Sequence, residues 1–276
     1  MKTSSKKDIR LLDARTITIG KDWNFRGVYS SFWRLYCNRD EGAAVSWNGG
    51  NSTLQPGRLY LLPPWFPFHC QNRQNRVRHT YAHFEISGLP PLTVKEAFRE
   101  PLEINNPPQL EPLVETWHAW MEQPSLHSQA GSTFTLGLVH LLWAELLRQG
   151  HLSGNPFPVS DPRIRKALAR MEEAYDQPLT VPELARHCAL SEDHFARSFR
   201  RELGIPPHRY LRELRVREAS RLLAFTNLPI ESIADSCGFP DRYTFTKAFT
   251  RMMGTPPARY RRREFAARKA SVAKLG

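Results

Sequence analysis

The phrase GIPPHRY, beginning at Gly204, returns as GTPPARY at Gly254 with five of its seven letters unchanged. The likeness runs well beyond the phrase. LTVPELARHCAL (residues 179–190) aligns with LPIESIADSCGF (residues 228–239) at an offset of 49, pairing Val181 with Ile230, Leu184 with Ile233, Ala185 with Ala234 and Cys188 with Cys237. Downstream the offset becomes 50, pairing Phe195 with Phe245, Phe199 with Phe249, Gly204 with Gly254 and Tyr210 with Tyr260, so one extra residue enters the second copy between Phe239 and Phe245. A repeat of this length implies one supersecondary unit built twice.

Local chemistry says what that unit is. In the first copy Thr180 is placed to cap a helix, with Glu183 as its capping-box partner. Leu184 and Ala185 face inward, Cys188, Ala189 and Leu190 form a turn, and Ser191 caps a second helix. Phe195 and Phe199, four residues apart, lie on one buried face of that helix. Gly204 ends it in the left-handed conformation, and Pro206 and Pro207 stop its continuation. The second copy repeats the plan, with Gly238 in its turn and Gly254 at its end; Pro229 stands where the capping threonine was and is expected to start the helix. The pattern is a helix-turn-helix, over about residues 179–203 and again over about 228–253. A helical repeat array is the competing reading, but such arrays need about three or more units. The paired cysteines Cys188 and Cys237 read as small core residues.

Charge separates the two halves of the chain. Residues 161–276 carry 23 Lys and Arg against 14 Asp and Glu, whereas residues 1–160 carry 16 against 13. A basic segment beside a near-neutral one points to a polyanion partner, with a merely solvated basic surface as the alternative. Between the copies, residues 208–225 are apolar at Leu211, Leu214, Ala219, Leu222 and Leu223 and read as a single helix. Its length, about 27 Å, is close to one turn of duplex DNA, about 34 Å. Such a connector suits two recognition helices in successive major-groove segments.

At this point the sequence resembles the AraC/XylS family of bacterial transcription regulators. The resemblance spans residues 161–263 and rests on DPRIRKAL, RVREASRLL and IADSCGFPDRYTFTKAFTRMMGTPPARYR. It implies a seven-helix DNA-binding unit, and it implies base contact at Asp193, Ala196 and Arg197. With Phe195 and Phe199 buried, Arg200 also lies outward; with Phe245 and Phe249 buried, Arg242, Tyr243, Thr246 and Lys247 lie outward. Arg197 suits guanine, Asp193 suits cytosine and repels phosphate, and Ala196 reaches only a thymine methyl. Arg201, Arg251 and the RYRRR run of residues 259–263, Arg262 among them, are expected to hold phosphate.

The first 160 residues alternate short aromatic and β-branched stretches (SSFWRLYCN, AAVSWN, GRLYLLPP, RHTYAHFEI) with Gly, Pro and Asn turns, the pattern of an all-β barrel or sandwich. LQPGRLYLLPPWFPFHC resembles the cupin-like sensor domains that precede this DNA-binding unit, which implies a jelly-roll binding a small effector, often a sugar. Trp47, Tyr60, His69, Tyr81 and His83 are the candidate effector-binding residues, against the alternative that each is ordinary core. His69 has no histidine neighbour at the cupin metal spacing, and His79 and His83 would stand about 13 Å apart on a strand, so no metal and no cofactor is expected.

The expected architecture is α+β with two domains: a cupin-like jelly-roll over residues 1–108, a helical pair over 109–149 as a dimerisation element, a Gly/Pro/Ser linker over 150–160, the DNA-binding domain over 161–265 and a basic tail over 266–276. Leu110, Leu113, Val114, Trp117, Trp120 and Met121 follow helical spacing, as do Phe134, Leu138, Leu141, Leu142, Leu146 and Leu147. The function this implies is a ligand-responsive, sequence-specific transcriptional regulator, not an enzyme. Its expected partners are double-stranded DNA, a small effector, a second copy of the chain and RNA polymerase. No apolar leader and no run of about 18 apolar residues is present, which predicts a cytoplasmic location without a membrane partner. Three rivals compete with this reading. A cupin-type enzyme lacks a nucleophile–base pair or metal cluster. An alkylation-repair sensor lacks a zinc-type cysteine cluster, since Cys37, Cys70, Cys188 and Cys237 stand far apart. A regulator whose first half only dimerises stays open, as does the sign of regulation.

Overall fold

A computed structural model describes residues 9–86, 89, 94–95, 97–104, 110–123, 129–151 and 159–272, with side chains to residue 265. The chain divides into two compact units, one built on residues up to 153 and the other on residues 154–264.

The first unit is an antiparallel sandwich. Its strands are β1 (Ile9–Ile19), β2 (Phe25–Val28), β3 (Trp33–Asn38), β4 (Ala43–Trp47), β5 (Gly50–Thr53), β6 (Leu59–Leu62), β7 (Phe68–Asn72), β8 (Val77–Ile86) and β9 (Leu102–Ile104). A five-stranded sheet runs β1-β8-β3-β6-β9, and a four-stranded sheet runs β2-β7-β4-β5. Strand β3 shows why the larger sheet sits in the middle of the unit: all six of its residues are buried. Because side chains alternate along a strand, that pattern needs cover on both faces. Tyr36 points into the sandwich interior with Val45, Tyr60, Leu62, Phe68 and Tyr81. Leu35 points the other way, where Leu61, Phe84 and Ile104 meet Val139, Leu142, Trp143 and Leu146.

The outer cover is two helices, α1 (Glu111–Met121) and α2 (Gln129–Arg148). Cys37 and Thr80 also face it: His118 of α1 lies 3.1 Å from the Cys37 Sγ and 2.6 Å from the Thr80 hydroxyl. Helix α2 is long and apolar enough to cross a membrane by length and composition. In the fold its Leu138, Val139, Leu142 and Leu146 face is buried while Leu141 and Leu147 are exposed.

The second unit holds seven helices among its described residues: α3 (Pro162–Glu173), α4 (Val181–His187), α5 (Glu192–Leu203), α6 (Pro207–Phe225), α7 (Ile230–Ser236), α8 (Arg242–Met253) and α9 (Pro257–Val272). The repeat appears as a repeated core. Phe195, Phe199 and Tyr210 pack in sequence, rings steeply inclined, at 5.6 and 5.7 Å; Phe245, Phe249 and Tyr260 do the same at 5.5 and 5.3 Å. Thr180 caps α4 through the full capping box, and Ser191 and Asp241 cap α5 and α8. Since Asp241 matches Ser191 while Phe239 matches Leu190, Pro240 is the inserted residue.

Several expectations need correction. Pro229 occupies the capping position before α7 rather than its first turn, and makes no side-chain cap. Pro206 and Pro207 do more than stop α5: they are the cap and first residue of α6. The basic tail expected from residue 266 is not a separate segment, because α9 continues through it to Val272. Of the expected linker, residues 152–158 lie outside the described residues.

Candidate nucleic-acid interface

The two recognition helices, α5 and α8, are aimed by their phenylalanines. Phe195 and Phe199 are wholly buried in a core that also takes Ile164, Met171, Leu184, Tyr210, Leu211 and Leu214. Phe245 and Phe249 are wholly buried in the second copy. With those faces committed, Asp193, Arg197, Arg200 and Arg201 are exposed on α5, and Ala196 is half-buried. On α8, Arg242, Tyr243, Lys247 and Arg251 are exposed and Thr246 is half-buried. Tyr243 is 76 % exposed, a high value for an aromatic ring with no role in the fold. Among the described residues Arg197, Arg200, Arg242, Lys247, Arg251 and Arg262 form no ion pair, so their charge is available to a partner. Arg201 approaches Glu202 only at 4.0 Å.

Helix α8 begins at Arg242, directly after its Asp241 cap. The Thr244 amide and hydroxyl both donate to Asp241 and hold its pKa below the ordinary carboxylate value. Those bonds commit the Asp241 carboxylate to the start of its own helix and leave the neighbouring Arg242 guanidinium facing outward.

The arginine run after the second copy divides. Arg259 and Arg262 are exposed on α9. Arg261 instead donates to the Leu228 carbonyl, and Arg263 lies 5.4 Å from the Tyr260 ring and 3.5 Å from Glu264. These two are structural, so the expectation of phosphate contact along the whole run is corrected to its exposed members. The reason is periodicity: adjacent residues on a helix point about 100° apart, and a run of like charges cannot all face one way.

Sequence reasoning passed over the connector's own cations. Arg209 and Arg212 of α6 line a cleft of about 550 Å³ with Lys247, Ala248 and Arg251 of α8. Arg209 pairs with Glu213 at 3.0 Å, while Arg212 is exposed and forms no ion pair among the described residues. No periodicity signal distinguishes Arg212 from Arg217 or Arg221 on the same helix; only packing against α8 does. His194, exposed on α5, was also passed over.

In the first unit the five candidate effector residues do not converge. His69 is exposed on β7, between buried Phe68 and Cys70, and its Nδ1 accepts from the Gly27 amide. It faces away from the interior, so its assignment is corrected. The buried Tyr60 hydroxyl donates to the Thr53 carbonyl and accepts from the Gln55 amide, a structural role. Trp47 is half-buried and packs on Phe66. Tyr60 and Tyr81 share the interior core with Trp47 packed against it, and the Tyr81 and His83 rings lie 4.6 Å apart. Around them are groups the sequence did not single out. Asp13 accepts from the Tyr81 hydroxyl at 3.0 Å, Arg34 lies 3.0 Å from the His83 Nε2 and over the Phe32 ring, and His79 stacks on Tyr81. A charged residue in the fully buried strand β3 was the available signal for Arg34. Among the described residues no three His, Cys, Asp or Glu side chains gather as a metal site.

Two helix-turn-helix units with matched cores, equivalent exposed cationic faces and one connecting helix define a DNA-binding regulator. A family model described as a helix-turn-helix domain matches residues 184–263. The arabinose operon regulatory protein of Escherichia coli is 25 % identical over 80 % of this chain and 77 % of its own length. The RCS-specific HTH-type transcriptional activator RclR of Escherichia coli is 26 % identical over 92 % of this chain and 95 % of its own. The raffinose operon regulatory protein RafR of Pediococcus pentosaceus is 29 % identical over 45 % of this chain, a match that spans under half (46 %) of that relative. Among solved structures, ToxT from Vibrio cholerae O395 shares the two-domain fold, at a TM-score of 0.52 and 12 % identity over 90 % of this chain and 96 % of that one. Residues 184–263 thus carry a helix-turn-helix domain of the AraC type, and the relatives that span most of the chain are transcriptional regulators.

Proposed function

We propose that this regulator reads a two-part operator, one part with each recognition helix, under control of a small effector bound in the sandwich. Asp193, Ala196 and Arg197 of α5 and Arg242, Tyr243, Thr246 and Lys247 of α8 face base edges. Arg200, Arg201, Arg251 and Arg262 hold phosphate, and the cleft-lining Arg212 joins them. The observation that carries this reading is the paired core. Burial of the same two phenylalanines in each copy leaves the same helix face, with its cations unneutralised, pointing outward.

The effector reading rests on the interior cluster of Tyr81 and His83 with Asp13. Aromatic surfaces with a few oriented polar groups suit a sugar or a similar polar molecule. The names of the raffinose and arabinose relatives favour the same class. The exposed Leu141 and Leu147 of α2 are the seam of a homodimer, RNA polymerase is a further partner, and the protein works in the cytoplasm.

The test separates readers from clamps. Binding of Arg242→Ala and Arg262→Ala is measured on a selected operator and its single-base variants at two salt concentrations. Loss of a bidentate base contact costs about 1–3 kcal/mol and relaxes preference at one position. Loss of a phosphate contact weakens all sequences alike and lowers the salt slope by about one unit. The assignment fails if Arg242→Ala weakens every sequence equally while Arg262→Ala alters base preference.

A further inference from the structure

The two turns of the repeat differ at one telling position. Ala189 and Gly238 occupy the same place, and both are left-handed, at φ 53° and 72°. The first copy tolerates a side chain there, so conformation alone does not demand glycine in the second. Space does: a Cβ on Gly238 would lie 2.8 Å from the carbonyl oxygens of both Tyr175 and Asp176. Those atoms are backbone, so they cannot swing aside as a side chain would.

The segment that Gly238 touches belongs to the first helix-turn-helix unit. It joins α3 to α4, and Tyr175 packs on the first core. The connector grips the same segment from its own side. Arg215 donates from Nε to the Tyr175 carbonyl and from Nη2 to the Gln177 carbonyl, both at 2.7 Å. Three consecutive residues of the first unit are thus held between the connector and the turn of the second unit. Nearby the two units are not closed by packing, because a cleft of about 380 Å³ lined by Leu179, Leu184, Leu211, Phe239 and Pro240 lies between them.

We propose that Arg215 and Gly238 are positioning residues that lock the two helix-turn-helix units in one relative orientation through the loop at residues 175–177. The connector helix therefore does not set the distance between readers alone. A helix joined to each unit only at its ends leaves them free to pivot, whereas this lock adds a second, off-axis attachment. Its consequence rests on the two-part operator reading above: a rigid pair of readers tolerates only one spacing between their target segments.

Two measurements keep the lock and the operator reading apart. The first needs no DNA. Spin labels are placed on Ala169→Cys and Glu231→Cys, exposed positions on α3 and α7, in the full chain, whose four native cysteines are buried. The expected result is one narrow distance for the parent, a broadened distribution for Arg215→Gln and Gly238→Ala, an intermediate one for Arg215→Lys, and no change for Ala189→Gly. The same narrow distribution in Arg215→Gln and Gly238→Ala overturns the lock, whatever the chain binds.

The second measurement compares a selected operator with versions carrying one or two extra base pairs between the segments. The parent should discriminate strongly. Arg215→Gln should lose affinity for the natural spacing on the order of tenfold, since the second contact is no longer pre-aligned, and should discriminate less between spacings. Unchanged spacing discrimination by both variants overturns the lock, whereas failure of the parent itself to bind any duplex overturns the operator reading instead.

Discussion

Replacing Phe249 with alanine tests the assignment on which every reader depends. The side chain has no exposed surface and sits between Phe245 at 5.5 Å and Tyr260 at 5.3 Å. Removing its ring forfeits about 1.5–3 kcal/mol of apolar burial. The cavity left between two neighbouring rings brings the total to about 3–5 kcal/mol. Domains of this size are stable by about 5–15 kcal/mol, so the loss raises the unfolded fraction of the second copy by more than a hundredfold. The loss should also be local. Hydrogen exchange followed by mass spectrometry on the full chain should show α7 and α8 losing protection while α4 and α5 keep theirs. Phe199→Ala should give the mirror image. Phe249→Leu, which refills most of the volume, should cost less than about 1.5 kcal/mol. If Phe249→Ala leaves thermal stability and protection intact, the buried face of α8 has been misassigned. The outward positions of Arg242, Tyr243 and Lys247 then have no support.

Further outcomes are expected. Arg212→Ala should lower DNA affinity evenly across sequences and reduce the salt slope by about one unit; a shifted base preference would move Arg212 from clamp to reader. Thr180→Val removes the oxygen that receives the Glu183 amide and should destabilise α4 by about 1 kcal/mol, measured by denaturant midpoint. Burial depresses the His118 pKa to about 4 from 6.5. A histidine with a lowered folded pKa binds fewer protons folded than unfolded, so its contribution is intact above pH about 6.5 and is lost as pH falls toward about 4. Thermal melts of the protein should show the first unit weakening across that window, and His118→Gln should flatten this slope; an unchanged slope would remove His118 as its source.

Legibility differed sharply between the two units, for reasons that individual residues show. Thr180, Ser191, Phe195, Phe199 and Gly204, with Phe245, Phe249 and Gly254 in the second copy, act through neighbours three or four positions away. Caps, turns and buried stripes of this kind are local physics, and the structure reproduces them. The sandwich is built from distant partners instead. Strand β1 pairs with β8 across Ile9 and Ile86, and β3 lies between β8 and β6, so which face of each strand turns inward is decided by the sheet. His69 and Tyr81 look alike as aromatic positions on strands, yet one faces solvent and the other the interior.

The repeat by itself determined that this chain carries two helix-turn-helix units and which phenylalanines anchor them. Its charge and motif pointed to DNA and to the family. Tertiary structure alone decided which arginines are free. Arg261 is bound to the Leu228 carbonyl, Arg215 to the loop after α3, and Arg212 lines a cleft beside α8. Tertiary structure also explains why Gly238 cannot be the alanine found at its repeat partner. A side chain's chemistry is written in the sequence, but whether that chemistry is spent inside the fold depends on backbone atoms brought near it from more than thirty residues away.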